Sequence, residues 1–446
     1  MAVVYQKSLF SWKDVEDLGD LERLYLVLEN LPDEQLVCKL EKERGRGRND
    51  YPVRAIWNSI LAGIVFEHSS VESLIRELKR NAQLRELCGF DPLKGWKAVP
   101  SSMAYTRFLV KLMDNQHLIE EMFNAVIASL QAILPDFGKD LSFDGKAIHS
   151  LAPGRKKSNC EPKEEKNDRR RENDADWGVK KYKGEDENGK AWEKVKYWFG
   201  FRLHLIVDAN YELPVAYKLT KASLGEQPVM RELFNNLARK HPEVIENCDH
   251  AMGDKGYDSI ETITQLWYEH NIKPVIDIKY MWKDSETTRM LKSKDIENIT
   301  YDYQGTVYCH CPATGEVRKM ALGGFEWDRD SLKFLCPAMH YGVECKGAAN
   351  CPAGRGVRIP LNEDQRIFTP VARSSYKWKR LYNKRSSVER VNSRLDVSFG
   401  FEHHFIRGLE KMRLRCELSL CIMLAMALGR ARQNQFELMR SLVRSA

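Results

Sequence analysis

Apolar residues recur every three or four positions through the first third of the chain. Val53, Ile56, Trp57, Ile60, Leu61, Ile64 and Val65 form one helical stripe. Ser70 opens a second helix striped by Leu74, Ile75 and Leu78, and Gly89 stops the segment carrying Leu84 and Leu87. Pro100-Ser101-Ser102 opens another, with Tyr105, Phe108, Leu109 and Leu112. These patterns predict an all-helical N-terminal domain over residues 1–135. The period then changes to two. Leu141 and Phe143 read as a strand, and Phe201, Leu203, Leu205 and Val207 alternate with their neighbours. Ala209-Asn210-Tyr211 reads as a turn and Leu213 to Leu219 as the returning strand of a hairpin. Glu226 to Lys240 is an amphipathic helix, Ala251 to Asp254 a short strand, Ser259 to Asn271 a helix and Ile272 to Ile278 a strand. That order predicts an α/β core, a mixed sheet flanked by helices, over residues 136–279 and 367–446.

Two stretches break the pattern. Residues 154–196 are dense in Lys, Arg, Glu and Asp and nearly lack aliphatics, which predicts a mobile charged excursion. Residues 280–366 carry Cys309, Cys311, Cys336, Cys345 and Cys351 and read as an insertion subdomain. A helix resumes near Tyr376 and runs through Glu389, and Leu409 to about Leu442 reads as long helix.

Charge adds a partner class. A net charge of +7, with basic clusters at Glu41–Arg54, Arg155-Lys156-Lys157 and Arg169-Arg170-Arg171, suits a polyanion. The longest apolar run, near Leu418 to Leu428, is well short of the roughly 20 residues that span a bilayer, so no membrane role is expected. Met1 to Trp12 lacks a signal-peptide pattern, so the eleven cysteines are expected to be cytoplasmic and reduced, with metal or core roles.

Three islands carry the candidate chemistry: Ser142-Phe143-Asp144-Gly145-Lys146, Met252-Gly253-Asp254-Lys255-Gly256-Tyr257 and Arg385-Ser386-Ser387-Val388-Glu389-Arg390. The first two read as buried strands ending on an Asp, the third as a helix whose Glu shares a stripe with Tyr382 and Arg385. Two Asp and one Glu at one sheet edge, Asp144, Asp254 and Glu389, form an oxygen site for two Mg²⁺ or Mn²⁺ ions, the set used in two-metal phosphodiester chemistry. Lys146, Lys255 and Arg385 would offset phosphate charge, Tyr382 would stack on a base, and Arg390 and Arg394 extend the basic helix.

In combination these motifs resemble the DDE motif of bacterial insertion-sequence transposases. The Asp144-Gly145-Lys146 and Asp254-Lys255-Gly256-Tyr257 contexts, and the Tyr382-x2-Arg385-x3-Glu389 spacing, carry the resemblance. It implies a ribonuclease-H-like catalytic core, an N-terminal domain for DNA binding and dimerisation, and a homodimer on double-stranded DNA that cuts inverted-repeat ends and joins their 3′-hydroxyls to a target. One position departs: where part of that group has a Lys or Arg seven residues after the Glu, this chain has Asp396. A nuclease without strand transfer and a domesticated DNA-binding protein remain open beside the transposase reading.

The cysteines leave a second question. Cys309-x-Cys311 followed by Cys336, Cys345 and Cys351 lacks the paired C-x2-C of a zinc ribbon, so an irregular Zn²⁺ site and reduced core thiols both stay open. Trp282 and Trp327 in the same insertion are read as packing residues, and His204 as a satisfied sheet histidine.

Overall fold

The computed structural model describes residues 18–45, 51–152, 172–185, 191–284, 286–292 and 296–442. Residues 46–50 of the basic segment Glu41–Arg54, and both the Arg155 and Arg169 clusters, lie outside the described residues. The chain divides into two compact units. One comprises residues 1–134, 149–175 and 393–446, the other residues 135–148 and 176–392.

The first unit is helical where described. It begins with α1 (Glu22–Asn30), α2 (Glu34–Arg44), α3 (Val53–Val65), α4 (Val71–Arg80), α5 (Ala82–Cys88), α6 (Ser102–Asp114) and α7 (Gln116–Ile133). The starts are set by side-chain oxygens that accept otherwise orphaned backbone N–H groups. Ser70 caps α4, Asn81 caps α5 and Ser101 caps α6. Gly89 ends α5 in the left-handed region at φ 91°, where a side chain would be strained.

The second unit is built on a mixed sheet. Its elements are β1 (Asp140–His149), β2 (Asp176–Glu185), β3 (Ala191–Asp208), β4 (Leu213–Lys221), α8 (Glu226–Lys240), α9 (Pro242–Asn247), β5 (His250–Gly253), α10 (Ile260–Thr264) and β6 (Lys273–Ile276). Strand order is β2-β3-β1-β5-β6, with β4 also paired to β3. β1, β5 and β6 run parallel, while β2–β3 and β3–β4 are antiparallel. The β3–β4 hairpin turns where expected. Asp208, buried at the turn, accepts backbone N–H bonds from Gly138, Asn210 and Tyr211.

Part of the expected charged excursion is instead ordered sheet. Asp176 pairs with Gly200 and the ladder continues to Glu185 opposite Ala191. The reason is visible at the inner end of this hairpin. Trp198 is buried, donates to the Phe201 carbonyl at 3.2 Å, and lies under the Arg202 guanidinium. Gly178 on the facing strand leaves room for its ring, since a Cβ there would collide with the indole. Lys and Glu residues between these aromatics hide the alternation in a composition reading.

The insertion holds two small antiparallel sheets. One, in order β10-β9-β8-β7, uses β7 (Thr288–Met290), β8 (Ile299–Asp302), β9 (Val307–His310) and β10 (Val317–Lys319). The other comprises β11 (Ala321–Glu326), β12 (Ser331–Leu335) and β13 (Gly356–Pro360), with α11 (Pro337–Tyr341) between the last two. Ile299, Tyr301, Val307, Phe334, Ile359 and Phe368 share its core. Trp282 packs edge-on to Tyr301, and Trp327 lies against Trp267 and Phe325. The chain returns to the main sheet through Arg373, which donates to the carbonyls of Ile276 and Ile367.

Three helices close the chain: α12 (Tyr376–Asn383), α13 (Ser386–Phe399) and α14 (Leu409–Arg432). The single helix expected from Tyr376 through Glu389 is therefore two, broken by a turn at Lys384 and Arg385 whose N–H groups donate to the Leu381 and Tyr382 carbonyls. The helix expected to run to about Leu442 therefore ends earlier, followed by a short 3₁₀ turn at Phe436–Leu438. Residues 416–429 of α14 are buried on every side, as the central helix of the first unit against α1, α3, α6 and α7. No helix among the described residues is long and apolar enough to cross a membrane.

One close approach sets the sheet's centre. A Cβ on Gly253 would lie 2.5 Å from the Phe143 ring, which itself packs edge-on to Tyr257 and Phe234. Gly253→Ala is therefore expected to destabilise the protein by about 1–3 kcal/mol, the usual effect of overpacking a filled core. A fall in urea midpoint checks this; an unchanged midpoint refutes it.

Candidate active site

The parallel register of β1 and β5 is what brings the first two acids together. Asp140 pairs with His250, Leu141 with Ala251 and Ser142 with Met252. Carried two residues further, the same offset sets Asp144 beside Asp254, where neighbouring chains run about 4.8 Å apart. Asp254 follows the end of β5 as expected, but β1 continues past Asp144 to His149 instead of ending there. Gly145 N–H donates to one Asp144 oxygen at 2.8 Å, and Gly256 N–H donates to Asp254 at 2.7 Å, capping the turn Lys255–Tyr257.

Alternation along β1 fixes what lies on each face. Leu141 and Phe143 point into the core. Asp140, Ser142 and Asp144 share the other face, and the start of the C-terminal helices is pinned across it. Lys384 Nζ donates to Asp140 at 2.5 Å and to Asn210 at 2.9 Å, and the Ser142 and Ser387 hydroxyls are hydrogen bonded at 2.5 Å. His250 Nδ1 is 2.9 Å from the other Asp140 oxygen. Burial alone would raise the Asp140 pKa, but the bonds from His250 and Lys384 prevail and hold it down at about 2. Asp140 is thus a fixed anion that anchors the floor.

The third acid arrives on α13, two residues after Ser387. Val388, Val391 and Leu395 are buried and seat the helix. Glu389 is exposed in its first turn, where an acid also complements the helix dipole. Its carboxylate is held 2.8 Å from Arg385 across one turn. Arg385 in turn lies over the Tyr382 ring, which is stacked on Trp378 at 4.6 Å between centroids. The predicted stripe of Tyr382, Arg385 and Glu389 is therefore present as a contact chain. Arg385 also interacts electrostatically with Asp144, and Tyr382 with Asp254.

Electrostatically the site holds excess negative charge. Burial and then the Asp254 carboxylate push the Asp144 pKa up to about 6, with a further contribution from Glu226. Glu226 went unnoticed in the sequence because an acid in the first turn of a helix is ordinary. In the structure its Oε1 would lie 3.2 Å from a Cβ placed on Gly145, and it pairs with Arg202 at 3.4 Å. Tyr257 is buried within reach of all three acids, and its hydroxyl has no hydrogen-bond partner among the described residues.

The other candidate DNA contacts are dispersed. Lys146 is half-buried on β1, Lys255 is exposed beside Asp254, and Arg390 is paired with Glu212 at 2.7 Å. Arg394 belongs to the other unit. His204 is buried with Nε2 3.0 Å from the Thr220 hydroxyl, and burial drops its pKa to about 3, a neutral sheet histidine.

Mutual repulsion between two carboxylates is the condition a divalent cation relieves, so Asp144 and Asp254 fit a hard metal ion. Glu389 is engaged with Arg385 instead. Among the described residues no three His, Cys, Asp or Glu side chains stand together in a metal-holding group.

The chain matches the family described as transposase DDE domain over residues 167–425, more than half its length. That span contains Asp254 and Glu389; Asp144 lies upstream of it. No curated protein matches. Among solved structures, a chain in a cryo-EM structure of the piggyBac transposase synaptic complex with hairpin DNA is similar at a TM-score of 0.37 and 11% identity, covering 97% of this chain and 80% of that one.

The raised Asp144 pKa has a sign consequence. Because the folded value exceeds the ordinary one, Asp144 favours the folded state least above about pH 6, where it is charged. Asp144→Asn should therefore stabilise the metal-free protein at pH 7, on the order of 1–2 kcal/mol after allowance for partial exposure. The gain should vanish below about pH 4, where the carboxyl is neutral in both states. Urea unfolding in EDTA at both pH values measures it. A destabilised variant at pH 7 contradicts the assigned repulsion.

Proposed function

The chain belongs to the transposase DDE domain family, and from that premise we propose that it is a DNA transposase whose catalytic acids are Asp144, Asp254 and Glu389. The observation that carries the assignment is the coupled pair Asp144–Asp254 on adjacent parallel strands, with the Arg385–Glu389 pair coupled to it from the start of α13. The order β2-β3-β1-β5-β6 with β4 paired to β3, antiparallel among β2, β3 and β4 and parallel among β1, β5 and β6, supports a ribonuclease-H-like core. The substrate is double-stranded DNA at the inverted-repeat ends and at the target, bound by a homodimer that holds two ends together.

Asp144 and Asp254 would hold Mg²⁺ or Mn²⁺, with Glu389 joining once it leaves Arg385. The ions would supply an activated water or 3′-hydroxyl and stabilise the leaving oxygen. Asp140, fixed by His250 and Lys384, keeps the strand ends in register. Arg385, relieved of Glu389, is then free to face a phosphate while still resting on Tyr382. Lys146 and Lys255, beside the two aspartates, add positive charge where the backbone of the DNA would pass. The N-terminal helical unit is proposed to bind the ends.

Asp144→Asn, Asp254→Asn and Glu389→Gln should each reduce cleavage of labelled end DNA at least about 10²-fold while leaving DNA binding in place. Strand-transfer assays with Mg²⁺ or Mn²⁺ read both steps. Cleavage that survives in the three variants defeats the site assignment, and nicking by the wild type without any joining reduces the protein to a nuclease.

A further inference from the structure

The insertion brings five thiols from distant parts of the sequence to one place. Cys309, Cys311, Cys336, Cys345 and Cys351 all line a cavity of about 200 Å³. Cys309 lies in β9 and Cys311 sits in the turn that follows it. Cys336 caps the start of α11, Cys345 lies in the loop after that helix, and Cys351 precedes β13. The thiols therefore lie where one small sheet of the insertion meets the other.

Two of them already have the spacing of ligands, while the other three stand further off around the cavity. Cys345 Sγ and Cys311 Sγ are 3.7 Å apart. Sulfurs 2.3 Å from a common tetrahedral Zn²⁺ stand about 3.8 Å apart, whereas a disulfide requires about 2.05 Å. Both sulfurs also receive backbone hydrogen bonds from just downstream. Cys311 is bonded by the backbone of Ala313 and Thr314, and Cys345 by that of Gly347. N–H groups aimed at sulfur suit a metal-bound thiolate. In the metal-free protein the Gly347 bond at Cys345 is outweighed by burial and the adjacent Cys311 sulfur, which push that thiol up. Gly347 is what allows the two turns to close on each other. A Cβ there would lie 2.8 Å from Pro312 Cδ and 3.0 Å from Cys311 Sγ. Cys309 interacts electrostatically with Cys336, Cys345 and Cys351 across the same cavity. His310 is not part of the set, being bonded to the Thr300 hydroxyl at 2.9 Å.

We propose that Cys311 and Cys345, together with two of Cys309, Cys336 and Cys351, bind one Zn²⁺ ion that fastens the two sheets of the insertion together. Each ligand thiol gives its proton to solvent as its Zn–S bond forms, and no electron transfer is involved. Binding draws the third and fourth sulfurs in from the cavity wall. Soft thiolate donors favour zinc over the hard ions proposed for the carboxylates, so the two sites differ in metal class and in location. The zinc site stands or falls independently of the transposase reading.

The test uses the full-length protein from zinc-supplemented cells. Elemental analysis should give one zinc per chain, and exchange with Co²⁺ should produce thiolate-to-cobalt charge-transfer absorption. In the native protein the ligand cysteines should resist alkylation until a strong chelator is added. Cys311→Ser with Cys345→Ser should lose the zinc, while only one of Cys309→Ser, Cys336→Ser and Cys351→Ser should retain it. Because the double variant may fail to fold, the wild-type zinc content decides alone: no zinc above background overturns the proposal. So does an intact mass lower by two hydrogens, the signature of a Cys311–Cys345 disulfide, or retention of zinc in all three single variants.

Discussion

The pairing of β1 with β5 in parallel register is the constraint on which the second unit depends. Asp140 sits beside His250, Phe143 beside Gly253, and Asp144 beside Asp254 by one constant offset. A slip of one residue would turn every side chain of a strand to the other face. Phe143 and Leu141 would then leave the core, and Asp144 would point away from Asp254. The closeness of Phe143 to Gly253 makes the register steric as well as hydrophobic. Function and packing are therefore specified by the same ladder.

Around that ladder the electrostatics divide into two layers. The lower layer is satisfied: Asp140 is ionised and bonded on both oxygens by His250 and Lys384. The upper layer is not: Asp144 faces another carboxylate, and Glu226 adds to the repulsion. Buried like charges are unfavourable in the isolated protein. A site that binds cations needs this imbalance, and the rigid lower layer is what lets the chain sustain it. Lys384 and Ser387 also tie the lower layer to α12 and α13, so the helix that carries Glu389 is located by contacts with β1 rather than by its own sequence.

Much of this was legible beforehand. Helices α3, α4 and α6, the β3–β4 hairpin and the strand end at Asp254 follow from hydrophobic period and from caps such as Ser70 and Ser101, whereas β1 runs past Asp144 to His149. Tyr382, Arg385 and Glu389 do meet as the spacing suggested, but across a turn between two helices rather than along one. The β2–β3 ladder did not, because Lys and Glu alternate with its aromatics and composition alone reads as disorder. Glu226 did not either, since its closeness to Asp144 comes from the packing of α8 beneath the sheet. The cysteines were ambiguous for a related reason: their spacing fits no regular ribbon, and their meeting depends on how two small sheets abut.

The sequence by itself determined many of the helices and strands, because period, caps and turn residues act over a few positions. Membership of the transposase DDE domain family likewise rests on the order of residues. Only the tertiary structure decided that Asp144 and Asp254 share one field, that Glu389 is held by Arg385, and that five cysteines line one cavity. Those facts depend on distances between residues up to 245 positions apart, such as Ser142 and Ser387. Such distances are set by sheet register and by the packing of helices on it, which no local pattern records.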